Sequence, residues 1–185
     1  MWNQIDNRIN RAFGRVRQAF RGVLTRVNST GATQTVQGNA LASEGLQDNE
    51  LFQHYGFTSN PLPGTMAVVL PINGRTSHGI IIATENGKYR LKGLASGEVA
   101  LYDDLGQSIT LTRKGIVVDG AGMQITVTNA PKARFEMDIE ATGEIKDRCD
   151  SDGKKMSEMR ITYNGHNHKE NGDGGGTTDS PNQEM

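Results

Sequence analysis

A strict alternation of apolar and polar residues between positions 103 and 148 is the feature that most constrains this chain. The apolar members are Ile109 and Leu111, then Met123, Ile125 and Val127, then Ala133, Phe135, Met137 and Ile139. Because successive side chains of a strand point to opposite faces, each run predicts a β-strand with one apolar face. Residues 105–112 also align with 121–128 at an offset of sixteen, which indicates a short repeat.

The chain has little material of its own to cover these faces. Only 35% of its 185 residues are hydrophobic and 5% are aromatic, while 23 are glycine. Three chains wound around a common axis would bury the alternate residues in a narrow shaft and leave the charged set in water. An ordinary antiparallel sandwich also produces alternation, but it needs more hydrophobic residues than this sequence contains. We therefore expect a homotrimer.

Short β-rich runs broken by turn signals occupy residues 30–102. Thr65 to Leu70, Gly79 to Thr84 and Glu98 to Tyr102 are separated by Asn73-Gly74 and Asn86-Gly87. The length fits a five-stranded barrel of the oligonucleotide-binding (OB) type, a fold that hosts many functions. The basic and aromatic groove of a nucleic-acid binder is not obvious, so no specific nucleic acid is expected.

The first 29 residues are basic and have helical periodicity. Residues 1–28 carry six Arg against one acid, Asp6. Their apolar positions recur at steps of three and four from Trp2 to Val27, which predicts an amphipathic helix. Docking on another subunit is favoured over lying on a membrane surface, although a basic amphipathic stretch fits both.

No run of about 18 apolar residues indicates a membrane span, and the N-terminal apolar residues are interleaved with Arg instead of forming the apolar block of a signal peptide. Cys149 is the only cysteine, so no disulfide within the chain is possible. We expect a product made in the cytoplasm of its host and kept soluble until it is assembled.

A pair of histidines, His166 and His168, stands before a tail rich in Gly, Asn and Asp. Side chains at i and i+2 of an extended segment project to the same side. Two ligands are too few for a structural site, so within one chain the pair is more often incidental surface histidine. Around a threefold axis they become six imidazoles, a closed shell that suits Fe first, with Zn or Ni as the alternatives. Such an ion would be structural rather than catalytic.

Two segments carry a resemblance to a known family. GEVALYDDLGQSITLTRKGIVVDG at 97–120 is similar to a passage from OB barrel into β-helix, and HNH at 166–168 is similar to a metal-binding HxH pair. In this order and spacing they resemble the baseplate spike family of contractile-tailed phages, of the Mu type.

The resemblance implies an all-β homotrimer with four parts. These are an N-terminal helical docking segment at 1–29, an OB-fold domain at 30–102, an intertwined triple-stranded β-helix shaft at 103–163, and a metal-binding apex with a Gly-rich tail at 164–185. It also implies one Fe ion per trimer, bound by His166 and His168 of three chains.

The function implied is that of a structural spike in the virion, at the tip of the tail baseplate. Such a spike punctures the host outer membrane during genome ejection, and its N-terminal segment contacts the tail hub and other baseplate proteins. No enzyme is expected, since His54 and His78 have no nearby nucleophile or carboxylate pattern. The alternative hypothesis is a single-chain OB-fold binding module with a metal-binding tail.

Overall fold

The computed structural model describes residues 2, 5–6, 8, 17–40, 44–170, 172, 174–183 and 185. The chain forms two compact units, Met1–Thr126 and Val127–Met185. In the described parts of both, no helix is long and apolar enough to cross a membrane.

Five strands of the first unit close into a barrel. They are β1 (Phe20–Asn28), β2 (Gln34–Asn39), β3 (Gly45–Leu51), β4 (Met66–Ile72) and β5 (Arg75–Glu85). The order around the barrel is β1-β2-β3-β5-β4, with β3 and β5 parallel and the other pairs antiparallel. This arrangement agrees with the expected five-stranded barrel of OB type.

The barrel encloses the hydrophobic core of the described chain. Its buried apolar residues are Phe20, Leu24, Val36, Leu46, Leu51, Ala67, Val69 and Ile81. Burial alternates along β1, where Phe20, Gly22 and Leu24 face inward and Arg21 and Val23 face outward. Full burial of a side chain such as Leu24 contributes roughly 1.5–3 kcal/mol.

The predicted N-terminal helix is wrong at its C-terminal end. Trp2, Ile5, Asp6 and Arg8 are helical, and the rest of the predicted helix up to residue 16 lies outside the described residues. Phe20–Asn28, however, forms β1 and pairs with both β2 and β4. The apolar residues of this stretch keep helical steps of three and four, but pairing within the barrel, with a bulge between Leu24 and Arg26, makes it a strand.

The predicted turn at Asn73-Gly74 is confirmed. Both residues have positive φ, 53° and 70°, and Ile72 pairs with Arg75 across the two-residue loop. Positive φ at both positions is what a type I′ hairpin turn requires, and Asn and Gly adopt it at little cost.

A separate three-stranded antiparallel sheet follows the barrel. It consists of β6 (Val99–Tyr102), β7 (Ser108–Leu111) and β8 (Ile116–Asp119). Asp103 forms the first turn, because its Oδ1 accepts the backbone N–H groups of Leu105 and Gln107 at 3.0 and 2.8 Å. The repeat places Asp119 at the corresponding position, and its Oδ1 accepts the N–H of Ala121 at 2.8 Å.

The described residues after Asp119 form no β-strand beyond isolated bridges, so the predicted strands at 123–127 and 133–139 are absent from the single chain. Residues 156–163 were expected to belong to the β-helix shaft. They form most of a helix instead, α1 (Met156–Gly165), which lies in the second unit. The Lys155 N–H donates to the Glu158 carboxylate at 3.1 Å, and no Pro interrupts the segment. This local capping explains why a helix begins there.

Candidate functional site

The two histidines lie directly after α1. His166 caps the helix with extended backbone angles, φ −75° and ψ 150°. The rings of His166 and His168 are adjacent, with centroids 5.1 Å apart and planes at 83°. The prediction that the two side chains lie on the same side is therefore consistent with the structure.

A backbone carbonyl fixes the tautomer of His166. Its Nδ1 lies 2.5 Å from the carbonyl oxygen of Tyr163, and a carbonyl can only accept a hydrogen bond. Nδ1 therefore carries the proton, which leaves the lone pair on Nε2. A ligating histidine usually has this arrangement, since the second nitrogen orients the ring.

The tail folds back on His168, a point that composition leaves open. The His168 carbonyl accepts from the Thr178 N–H at 2.8 Å, and the His168 N–H donates to Thr178 Oγ1 at 2.9 Å. Glu170 N–H donates to the Gly176 carbonyl at 3.0 Å. The Met185 N–H donates to Asn164 Oδ1 at 2.9 Å, so the chain end returns to α1 beside the histidines.

The donor set fits an imidazole-bound metal, but one chain provides only part of it. Across the part of the chain that the structure describes, no three His, Cys, Asp or Glu side chains come together. The pair supplies two nitrogens, and copies of the chain would have to supply the others. Nitrogen ligands of this kind suit Fe, Zn and Ni.

A second feature that lacks a partner is one face of the β6–β8 sheet. Leu101, Ile109 and Val118 are directly opposite one another across the three strands, as are Val99, Leu111 and Ile116. Directly opposed residues share a face, and residues two apart along a strand share it as well. We call these six residues the apolar sheet face. They are between 42% and 71% exposed in the single chain.

Comparison with known proteins connects the barrel to a phage family. Residues 21–88 match the family model described as Bacteriophage Mu Gp45, N-terminal, which covers nearly the whole barrel. The "Baseplate puncturing device gp45" of Escherichia phage Mu is 28% identical over 172 residues, or 85% of each chain. The "Mu-like prophage FluMu protein gp45" of Haemophilus influenzae (strain ATCC 51907 / DSM 11121 / KW20 / Rd) is 29% identical over 136 residues, covering 66% of this chain and 74% of the relative.

The resemblance to the Mu-type baseplate spike family is confirmed. The aligned region of the phage Mu relative is longer than the barrel by about a hundred residues, so the similarity also extends beyond it. The Mu-type family is one of structural baseplate proteins, which agrees with the expectation that the chain is not an enzyme.

Proposed function

We propose that this chain is the central spike at the tip of a contractile phage tail baseplate. It acts as a homotrimer that punctures the host outer membrane and so opens a route for genome ejection. The name of the phage Mu relative, a baseplate puncturing device, supports this role and its place in the virion tail.

The observation that carries the proposal is the uncovered apolar sheet face. Six aliphatic side chains on one surface, each about half exposed, are unusual for a chain that works alone. Covering what remains exposed would contribute on the order of 5–9 kcal/mol per chain before entropy is subtracted. Three copies that turn this face toward a common axis would bury it and leave the polar face, with Thr110, in water.

Exposed apolar side chains that need a partner also occur in the alternating segment after the three-stranded sheet. Met123, Ile125 and Val127 are 42%, 60% and 78% exposed, and Phe135 and Met137 are 57% and 73% exposed. Strands that intertwine with neighbouring chains have no partner in one chain, which accounts for the irregular backbone here. In the trimer these residues would form the β-helix shaft.

The apex would be closed by one Fe ion bound to His166 and His168 of three chains. Six imidazoles saturate an octahedral site, so the ion would hold the three chains together at the narrow end rather than activate water. The fixed tautomer of His166 and the attachment of Thr178 to His168 support a prearranged pair. Zn and Ni remain the alternatives.

The N-terminal segment would attach the spike to the tail hub. Because Phe20–Asn28 belongs to the barrel, the part available for docking is shorter than the 29 residues first expected. Its Arg residues, including Arg8, would face an acidic or polar surface of the hub.

Light scattering combined with elemental analysis of the purified full chain tests the proposal. We expect the mass of three chains and about one Fe per trimer, as six-ligand saturation requires. Negative-stain images should show a slender particle. A metal-free monomer of 20.1 kDa would contradict the whole proposal.

A further inference from the structure

Asparagine followed by glycine occurs four times in the sequence, at 73–74, 86–87, 164–165 and 171–172. Asparagine is chemically labile, and this pair is especially prone to lose the side-chain amide because glycine has no Cβ to keep its backbone nitrogen away from the asparagine side chain. Asn171 lies outside the described residues. The other three asparagines differ in how firmly the structure holds the side-chain amide.

The amide of Asn86 is held at both ends. Its Nδ2 donates to Oγ1 of the buried Thr65 at 3.0 Å, and its Oδ1 accepts the Lys88 N–H at 3.2 Å. The backbone is held as well, since the Asn86 carbonyl accepts the N–H groups of Tyr89 and Arg90 at 3.1 and 3.0 Å. Rotation of this side chain toward the nitrogen of the next residue therefore requires two hydrogen bonds to break.

Asn164 is held by the helix and by the chain end. It lies in the last turn of α1, where helical backbone angles keep the Gly165 nitrogen away from the Asn164 side chain. Its Oδ1 accepts the Met185 N–H at 2.9 Å. Reaction at this position therefore needs the end of the helix to unwind and the chain end to detach.

The amide of Asn73 has neither kind of restraint. Asn73 is exposed and is the first residue of the two-residue turn between β4 and β5, with φ 53°. Among the described residues, no group forms a hydrogen bond with its side chain. Gly74 follows it with φ 70°, and the nearest pairing that restrains the turn is that of Ile72 with Arg75. The side chain can therefore rotate without breaking a hydrogen bond.

We infer that Asn73 is a site of spontaneous modification, at which the folded chain deamidates faster than at Asn86 or Asn164. The Gly74 backbone nitrogen forms a bond to Asn73 Cγ and gives up its proton, while the Cγ–Nδ2 bond breaks and Nδ2 leaves as ammonia. Water then opens the five-membered succinimide, which gives aspartate or isoaspartate. Water is the co-reactant, and no atom is oxidised or reduced.

The two products differ in their effect on the β4–β5 hairpin. Aspartate keeps the backbone unchanged, and an Asp-Gly pair suits the same turn as Asn-Gly. Isoaspartate routes the chain through the side-chain carbon, which adds one backbone atom to a loop whose length fixes the pairing of Ile72 with Arg75. Because β4 also pairs with β1, formation of isoaspartate weakens a strand of the barrel.

Peptide mapping by mass spectrometry of the full chain, after incubation in mildly alkaline buffer, tests the inference. Aspartate and isoaspartate together should accumulate at least about tenfold faster at Asn73 than at Asn86 or Asn164, because hydrogen bonds that must open lower the reactive population. In concentrated urea the three rates should converge. Equal rates in the folded chain would overturn the inference. A ratio that persists in urea would overturn it too, since neighbouring residues rather than the fold would then set the rates.

The effect on the hairpin is tested on the product itself. The isoaspartate form at Asn73, separated by ion exchange and identified by mapping, should melt at a lower temperature than Asn73→Asp, which has the same charge and a normal backbone. Identical melting temperatures would show that the hairpin tolerates the longer loop.

Thr65→Val provides the matched test of the protecting hydrogen bonds, because it removes the acceptor of the Asn86 amide. With folding verified by circular dichroism, the rate at Asn86 should rise while the rate at Asn73 stays the same. An unchanged rate at Asn86 would contradict protection by this hydrogen bond. If the variant does not fold, the comparison of native and urea-treated wild-type chains still decides the inference.

Discussion

The barrel and the remainder of the chain differ in what one copy can bury. Eight apolar residues of the barrel are buried, five of them at 1% exposure or less, whereas no described residue after Ile81 is buried. Both regions have alternating apolar residues, yet only the barrel closes its sheet on itself. The same alternation therefore gives a buried core where the sheet closes, and where it does not close it leaves apolar side chains exposed in one copy.

The largest effect should come from a charge on the apolar sheet face. Ile109→Asp would place one carboxylate per chain in the shared interior, where each unpaired charge costs several kcal/mol. We expect the trimer to be lost and the barrel to stay folded, as measured by light scattering and circular dichroism. Thr110→Asp, on the opposite face of β7, is the matched control and should stay trimeric. Trimers of both variants would show that the sheet face is not the interface.

The reverse experiment weakens the barrel alone. Leu24 is fully buried, so Leu24→Ala should destabilise the barrel by about 2–5 kcal/mol through lost burial and a residual cavity. Thr25→Ala, the exposed neighbour on β1, should change stability by less than about 0.5 kcal/mol. Thermal unfolding followed by circular dichroism compares the two. Similar shifts in both variants would mean that the barrel is not an independent core.

Sequence reasoning succeeded where local chemistry determines the structure. The turn at Asn73-Gly74 was predictable because Asn and Gly adopt positive φ at little cost, whatever surrounds them. β1 was missed because Phe20, Leu24 and Val27 keep helical spacing, and only pairing with β2 and β4, with a bulge after Leu24, makes the segment a strand. The attachment of the tail to His168 through Thr178 depends on hydrogen bonds that composition does not reveal. The loop between β3 and β4 had a signal that was overlooked, because Phe52, Tyr55 and Phe57 place three of the ten aromatic residues within six positions.

Removing the side chains of His166 and His168 should lower the melting temperature of the proposed trimer without separating its chains. His166→Ala combined with His168→Ala should abolish bound Fe in elemental analysis and lower the melting temperature, since metal binding adds to folding free energy. The particle should remain trimeric, because the apolar sheet face lies elsewhere in the sequence. Asn167→Ala, between the two histidines, should keep the metal. If the double variant became monomeric, the ion rather than the apolar interior would hold the chains together.

The smallest effect concerns the segment that leads from the barrel into the three-stranded sheet. The Glu98 carboxylate accepts the backbone N–H groups of Arg113 and Ala95 at 3.0 and 2.8 Å, and these bonds lower its pKa. Because the pKa is lower in the folded state, the stabilisation is present above the unfolded value of about 4.3 and is lost as pH falls through the folded value. Hydrogen exchange at Arg113 N–H, corrected for intrinsic rates, should therefore show protection that decreases on acidification.

The substitution Glu98→Gln distinguishes the titration of this carboxylate from other effects of low pH on the protein. Glutamine keeps one acceptor oxygen but cannot titrate, so the protection of Arg113 should become lower and independent of pH across the same range. Glu140→Gln, an exposed residue of the second unit, should leave the titration of Arg113 protection unchanged. A pH dependence that persists in Glu98→Gln would assign it to another group.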